Sequence, residues 1–445
     1  MTARPFVRIG AGAGFAGDRI EPALELVEKG RLDFLAFECL AERTIALAQN
    51  ARRSDPEGGF DPLLLERMRR VLPAARAHGV RIVTNAGAAN PLGAARAVAT
   101  LAKSLGLGAV RIAAVLGDDV VEVVRAAAFP LIDRDGSSAD LPSILSANAY
   151  LGAAPIAEGL AQGADIIITG RVGDPALFAG PLIDAFGWSI DDPVMMGRAT
   201  MIGHLLECAG QLTGGYFADA HRKQVPGLAR LGFPLAEVSS DGSAVLTKVS
   251  GSGGRLSLAS CKEQLLYEIL DPAAYYQADV IADFRSVALS QAGPDRVVVT
   301  GGGGAPRPDT LKVSIGYDDG FIGEGQIAYA GPGAVDRARL AGAVVRERLA
   351  LIEAAVADLR CDLIGFDSVD RTDLGMPPRE VRLRVSGRAA REVDAARIGA
   401  EVEALYTNGP FGGGGVTRSV RPVVAVASTL IPRDRVTPHV VMVEA

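Results

Sequence analysis

Four turns in this 445-residue sequence gather glycine, amide and charge in combinations suited to acid–base or anion-binding chemistry. They are Gly10 to Asp18, Glu38 to Arg43, Asn85 to Pro91 and Gly170 to Pro175. Glu38 directly follows the apolar run Phe34 to Phe37, and Glu42 and Arg43 stand close behind it. A carboxylate beside a charge that tunes its pKa can act as a base, although Glu42 and Arg43 also read as a solvated helix face. A second cluster runs from Gly203 through His204 and Glu207 to Cys208 and on to Asp219. On a helix, His204 and Glu207 are three residues apart and share a face, so they can form an acid–base dyad or a satisfied structural pair. No third ligand stands at metal spacing, and no metal site is expected.

Glycine supplies the other signal. Gly12, Gly14 and Gly17 have the dinucleotide-binding spacing, and Glu38 lies where an acidic residue would hold a ribose. With 53 glycines in 445 residues, that spacing arises by chance about 0.7 times in a chain of this length. The helix also starts only at Pro22, too late for the fingerprint. Runs of four glycines are rarer, expected about 0.09 times by chance, yet they occur at Gly301 to Gly304 and Gly412 to Gly415. Together with Gly251 to Gly254 they can form flexible turns or arrays of N–H donors for phosphate or carboxylate. Lys248 and Lys262 are two of only six lysines in an arginine-rich chain, and each could add a compact positive charge to such an array.

These groups need elements to hold them. Strands are expected at 6–10, 33–38, 80–84, 109–115 and 165–169, alternating with helices over 22–28, 62–77, 92–105 and 155–162. That alternation predicts a parallel α/β sheet flanked by helices over residues 1–235. From about residue 235, short extended segments separated by glycine take over, namely 244–249, 297–300, 311–315, 327–330 and 381–385, with helices at 334–359 and 395–405. A mixed α+β domain over 236–445 is expected there. Ligands gather at the carboxyl ends of parallel strands, so Gly12, Glu38, Asn85 and Arg171 are expected to line one cleft, with the reacting centre between the two domains.

Composition narrows the partners. The 46 basic residues against 52 acidic ones give a net charge of −6, which offers no basic field for a nucleic acid. No apolar run reaches the roughly 18 residues of a membrane helix, and no signal sequence is recognisable at the N-terminus. Cys39, Cys208, Cys261 and Cys361 are widely spaced, which fits a reducing cytoplasm and no disulfide scaffold.

In order along the chain, the segments 10–18, 37–44, 85–91, 168–177, 203–219, 246–254, 261–268, 316–334 and 408–415 resemble the acyclic terpene utilisation family, the AtuA-like proteins. The resemblance implies a cytoplasmic bacterial catabolic protein of branched isoprenoid acid breakdown, where the acids are carried as CoA thioesters. Longer relatives carry a further small C-terminal domain, and this chain is read as a short form lacking it. The leading expectation is an acyl-CoA or carboxylate enzyme with lyase or hydratase chemistry. It needs no tightly bound cofactor, and coenzyme A enters only as part of the substrate. A non-catalytic CoA-ester-binding subunit and a nicotinamide oxidoreductase are the alternatives, and a homo-oligomer is expected. The catalytic candidates from the residues themselves are Glu38, His204 and Glu207. The substrate-binding candidates are Gly12, Gly14, Asn85, Arg171, Asp174, Lys248, Gly253, Gly254, Lys262, Gly413 and Gly414.

Overall fold

The β-branched and apolar runs of the first half become strands whose side chains are buried on both faces, as helix-covered parallel sheets require. The computed structural model describes residues 6–370 and 378–445. The first strands are β1 (Val7–Ala13), β2 (Phe34–Phe37), β3 (Arg81–Thr84), β4 (Arg111–Leu116), β5 (Ile144–Ala149) and β6 (Ile166–Thr169). β1, β2, β3, β6 and β4 lie side by side in that order, all parallel. Their core is continuous: Ile9, Leu35, Ile82, Ile112 and Ile167 are fully buried. The helices Glu21–Lys29, Leu64–His78, Pro91–Ser104 and Ala154–Ala161 connect them, close to the expected spans.

The chain divides into two compact units, one of residues 1–316 with 426–445 and one of residues 317–425. The expected change of domain near residue 235 is therefore displaced. β7 (Pro234–Val238) pairs antiparallel with β1, and β8 (Ala244–Lys248) pairs with β7. The hairpin Ala288–Gly293 and Arg296–Thr300 continues that edge, while His439–Glu444 pairs antiparallel with β4 at the other. The texture does change near 235, from parallel to antiparallel pairing, but the new strands extend the first sheet. Outside it, β5 pairs with the strand Thr310–Ala330, and just past β5 the Tyr150 N–H donates to the Lys312 carbonyl at 2.9 Å.

The second unit is built on an antiparallel sheet in the order Ala357–Ile364, Glu380–Ala389, residues 317–330 of the strand Thr310–Ala330, and residues 414–425 of the strand Gly414–Pro432. Alternation along Glu380–Ala389 buries Val381, Leu383 and Val385, the period-two pattern of a sheet covered on one side. These residues pack with Ala338, Val345, Ile398 and Val402 of the helices Ala334–Leu351 and Glu392–Asn408. The expected helix over 334–359 ends at Leu351, and residues 357–364 form a strand. Among the described residues no helix is long and apolar enough to cross a membrane.

Candidate active site

The turns after β1, β2 and β6 and the end of the helix Pro193–Leu206 border one cavity of about 970 Å³. Every lining residue belongs to the first unit. Gly14 admits the close approach at its base: a Cβ there would lie 2.6 Å from the backbone carbonyl carbon of Cys208. The loop closes on itself when the Gly14 N–H donates to Asp18 Oδ2 at 2.9 Å.

Glu38 emerges from the end of β2 with only 8% of its surface exposed. Its Oε1 accepts the Leu40 N–H at 2.8 Å and the Asn85 side-chain amide at 3.1 Å. Asn85, fully buried at the end of β3, also accepts the Cys39 N–H at 2.6 Å. Asn85 thus stands behind Glu38 and fixes its loop. Burial drives the Glu38 carboxyl well above the usual range, and the nearby Asp174 pushes the same way. The opposing bonds from Leu40 and Asn85 and the charge of Arg171 do not offset this.

Glu207 caps the helix that carries His204, and its Oε1 lies 2.9 Å from His204 Nδ1. Burial lifts Glu207 to about 7, partly opposed by the histidine. Burial also pushes His204 down, but the hydrogen bond and charge of Glu207 outweigh it and the net shift is upward. His204 is fully buried against the rings of Tyr275 and Phe284, with centroids at 5.4 and 5.8 Å. It reaches the cavity through Glu207. The other Glu207 oxygen, Oε2, is buried and has no hydrogen-bond partner among the described residues.

Arg171 and Asp174 follow β6. Asp118 Oδ2 accepts the Arg171 N–H at 2.8 Å, and the guanidinium pairs with Asp174 at 2.8 Å, bonds the Leu40 carbonyl and lies 4.0 Å over the Tyr150 ring. Glu42 receives the Tyr150 hydroxyl at 2.5 Å and faces Lys312 at 3.3 Å. Burial raises Glu42, but Tyr150, Arg171 and Lys312 together overcome it and bring the carboxyl down to about 2. Burial raises Asp18 and Asp174 as well. The cavity therefore sets one carboxyl pushed down, Glu42, beside four that burial pushes up, Asp18, Glu38, Asp174 and Glu207. Asp18, Glu38, Glu42, Asp174, Glu207 and Glu268 line it, against Arg19 as the only cationic side chain among the described residues.

The structure distributes the sequence candidates unevenly. Gly14, Glu38, Asp174 and Glu207 line the cavity, and Asn85 and His204 support it from behind. Arg171 lines a neighbouring cavity. Gly12 lies inside β1, where a Cβ would strike the Phe37 ring at 2.6 Å; its role is packing, and the turn departs from the dinucleotide fingerprint. Lys248 donates to the Ser252 carbonyl at 2.7 Å and faces Asp295 at 3.4 Å, so its charge is already satisfied. Lys262 is exposed on the helix Leu258–Leu266. Gly253 passes within a Cβ's reach of the Arg230 carbonyl at 2.5 Å, and Gly254 has φ +90° beside Thr213, so both serve backbone packing. Gly413 and Gly414 belong to the second unit, where Gly413 lies against Ile327 and Tyr329. Sequence reading passed over Asp18 and Glu268 as site residues. Asp18 closes a turn that was itself singled out, while Glu268 carries φ +61°, a backbone conformation that no local pattern announced.

A family model described as acyclic terpene utilisation family protein AtuA matches residues 7–442, nearly the whole chain. Neither the curated proteins nor the solved structures contain a match.

Proposed function

The chain belongs to the acyclic terpene utilisation family, a family of catabolic role, and from that premise we propose that it is an acid–base enzyme acting on a branched or short acyl-CoA or a related carboxylate. The observation that carries this reading is the pair Glu38 and Glu207, two carboxyls that line one cavity and that burial pushes above the usual range. Groups poised near neutrality exchange protons efficiently at physiological pH.

Glu207 is the base. Near neutral pH a share of it is ionised, and His204 stabilises that form and fixes its orientation. Glu38 is the acid. In a dehydration, Glu207 takes the proton from the carbon next to the carbonyl, the carbon–oxygen bond breaks toward oxygen, and Glu38 supplies the proton that completes water. In a carbon–carbon cleavage, Glu207 takes the hydroxyl proton and the bonding pair passes to the departing enolate, which Glu38 protonates. Where coenzyme A is part of the substrate, its phosphates stay outside these acidic walls and only the acyl end enters.

A thermal-shift panel of short and branched CoA thioesters, free CoA and NAD(P) identifies the ligand class, and turnover is then measured on the thioester that stabilises the protein. Glu38→Gln and Glu207→Gln each lower kcat by about 10²–10⁴-fold with KM little changed. Wild-type turnover in both variants, or stabilisation by NAD(P) alone, contradicts the proposal.

A further inference from the structure

Next to the acidic cavity lies a second one of about 530 Å³, within the range of ligand pockets. The two share Glu42, Asp174 and Glu268 as walls. Their linings otherwise differ in character. The second is bounded by Ile132, Pro175, Tyr276, Pro308, Leu311 and Leu430. Three of these are large apolar side chains left open to solvent: Ile132 is 54% exposed, Tyr276 66% and Leu430 43%. Scattered exposed apolar residues are ordinary, but several around one concavity mark a place where apolar surface is to be covered.

Two cations stand where this apolar pocket meets the shared wall. Arg171 and Lys312 both lie over the Tyr150 ring, at 4.0 and 4.9 Å. The terminal nitrogens of Arg171 are taken by Leu40 and Asp174. Its Nε is buried without a hydrogen-bond partner among the described residues, in a side chain only 2% exposed. A buried donor left unmade is costly, and the side chain that carries it lines the cavity. An oxygen drawn by the charges of Arg171 and Lys312 would sit at the junction, with apolar walls on one side and the proton-transfer carboxyls on the other.

We propose that this second cavity seats the hydrocarbon part of an acyl ligand, with the oxygen of its acyl carbon at Arg171 and Lys312. This rests on the acid–base reading of the adjoining cavity and extends it by assigning chain selectivity to Ile132, Tyr276 and Leu430. Those side chains touch neither Glu38 nor Glu207 in any hydrogen bond, so chain selectivity and proton transfer are separable.

The test is calorimetric titration of the whole chain with two series, the straight-chain carboxylates butyrate, hexanoate, octanoate and decanoate and the CoA thioesters of the same acids. In at least one series Kd falls roughly two- to fourfold per added methylene until the cavity is full. Leu430→Glu and Ile132→Glu, both at exposed positions and checked for unchanged melting, flatten that dependence and weaken the longest ligand at least tenfold while leaving the shortest nearly unaffected. The series that shows the dependence identifies free acid or thioester as the source of the acyl group. No dependence on chain length in either series, or an undiminished dependence in both variants, overturns the proposal. Binding is read without turnover, so failure here is distinct from failure of the acid–base reading: wild-type turnover in both Glu38→Gln and Glu207→Gln with a steep chain dependence would remove only the latter.

Discussion

The two units handle buried polarity in opposite ways. In the second, Ile327, Val385, Ile398 and Val402 form an apolar core between sheet and helices, and the buried carboxylates Asp362 and Asp394 are each paired with arginines. In the first, an equally apolar sheet ends in buried carboxyls, and Asp18, Glu38, Asp118, Asp174 and Glu207 are all pushed upward, burial being the leading cause in each. Burying an acid opposes folding unless a cation matches it, as Arg171 does for Asp174. The concentration of such acids after the parallel strands and at the end of the helix Pro193–Leu206 supports the proposal that the chemistry of the site uses them.

The contrast breaks most visibly in stability. Leu383, only 1% exposed in the second unit's core, should lose about 2–5 kcal/mol on Leu383→Ala, read by denaturant unfolding. Removing a carboxyl of the cavity should do the reverse or nothing: Glu207→Gln keeps the volume, abolishes the charge, and is expected to match or exceed wild-type stability at pH 8. A Gln variant as destabilised as Leu383→Ala would show that the acid is a structural support.

Next in size is the close approach at the cavity base. Gly14→Ala sets a Cβ 2.6 Å from the Cys208 backbone and should cost about 1–3 kcal/mol, with turnover falling because the loop carrying Glu207 and Cys208 must move. Unchanged melting and turnover would mean that the loops tolerate the shift.

Stability against pH sharpens the comparison. Folding raises Glu207 from 4.5 to about 7 and Asp118 from 3.8 to about 6. Between the ordinary and the raised values the folded state binds more protons than the unfolded one, so stability declines as pH rises. The contribution of these two acids is complete below about pH 4 and is lost as pH passes through about 6 and then 7. Glu42 works oppositely, since its lowered carboxyl favours the fold above its ordinary 4.5 and loses that effect as pH falls toward about 2. Thermal melting from pH 5 to 8 should therefore fall in the wild type and flatten in Glu207→Gln. The smallest expected effect is Lys262→Ala: exposed and outside the cavity lining, it should change stability by less than about 0.5 kcal/mol and leave ligand binding intact.

Legibility followed locality. β1, β2, β3, β4 and β6 were readable because their apolar runs are short, unbroken and bounded by glycine or charge, and the turns that follow them were readable as the place to look. The helix Ala176–Phe186 was not, because Gly180 and Pro181 stand inside it; Pro181 is tolerated in a segment buried on most sides. The extension of the first sheet beyond residue 235 was hidden because β7 chooses β1 as its partner across more than two hundred residues, and nothing local encodes that choice. Glu38 and Glu207 were legible by type and position. The ionised state of Glu42 was not, since it depends on Tyr150, Arg171 and Lys312, which only the fold assembles. Glycine misled: Gly12, Gly253 and Gly254 answer to the Phe37 ring, nearby carbonyl oxygens and a positive φ, needs that composition does not distinguish from anion binding.

The central claim is that Glu207 exchanges a proton near neutrality inside the cavity. Infrared difference spectra of the whole protein across pH 5 to 9, wild type minus Glu207→Gln, test it directly. The account predicts a protonated carboxyl band present only in the wild type and lost with a midpoint at about 7, displaced when His204→Asn removes the hydrogen bond to Oε1. A band already lost by about pH 5, as for an ordinary glutamate near 4.3, would contradict it.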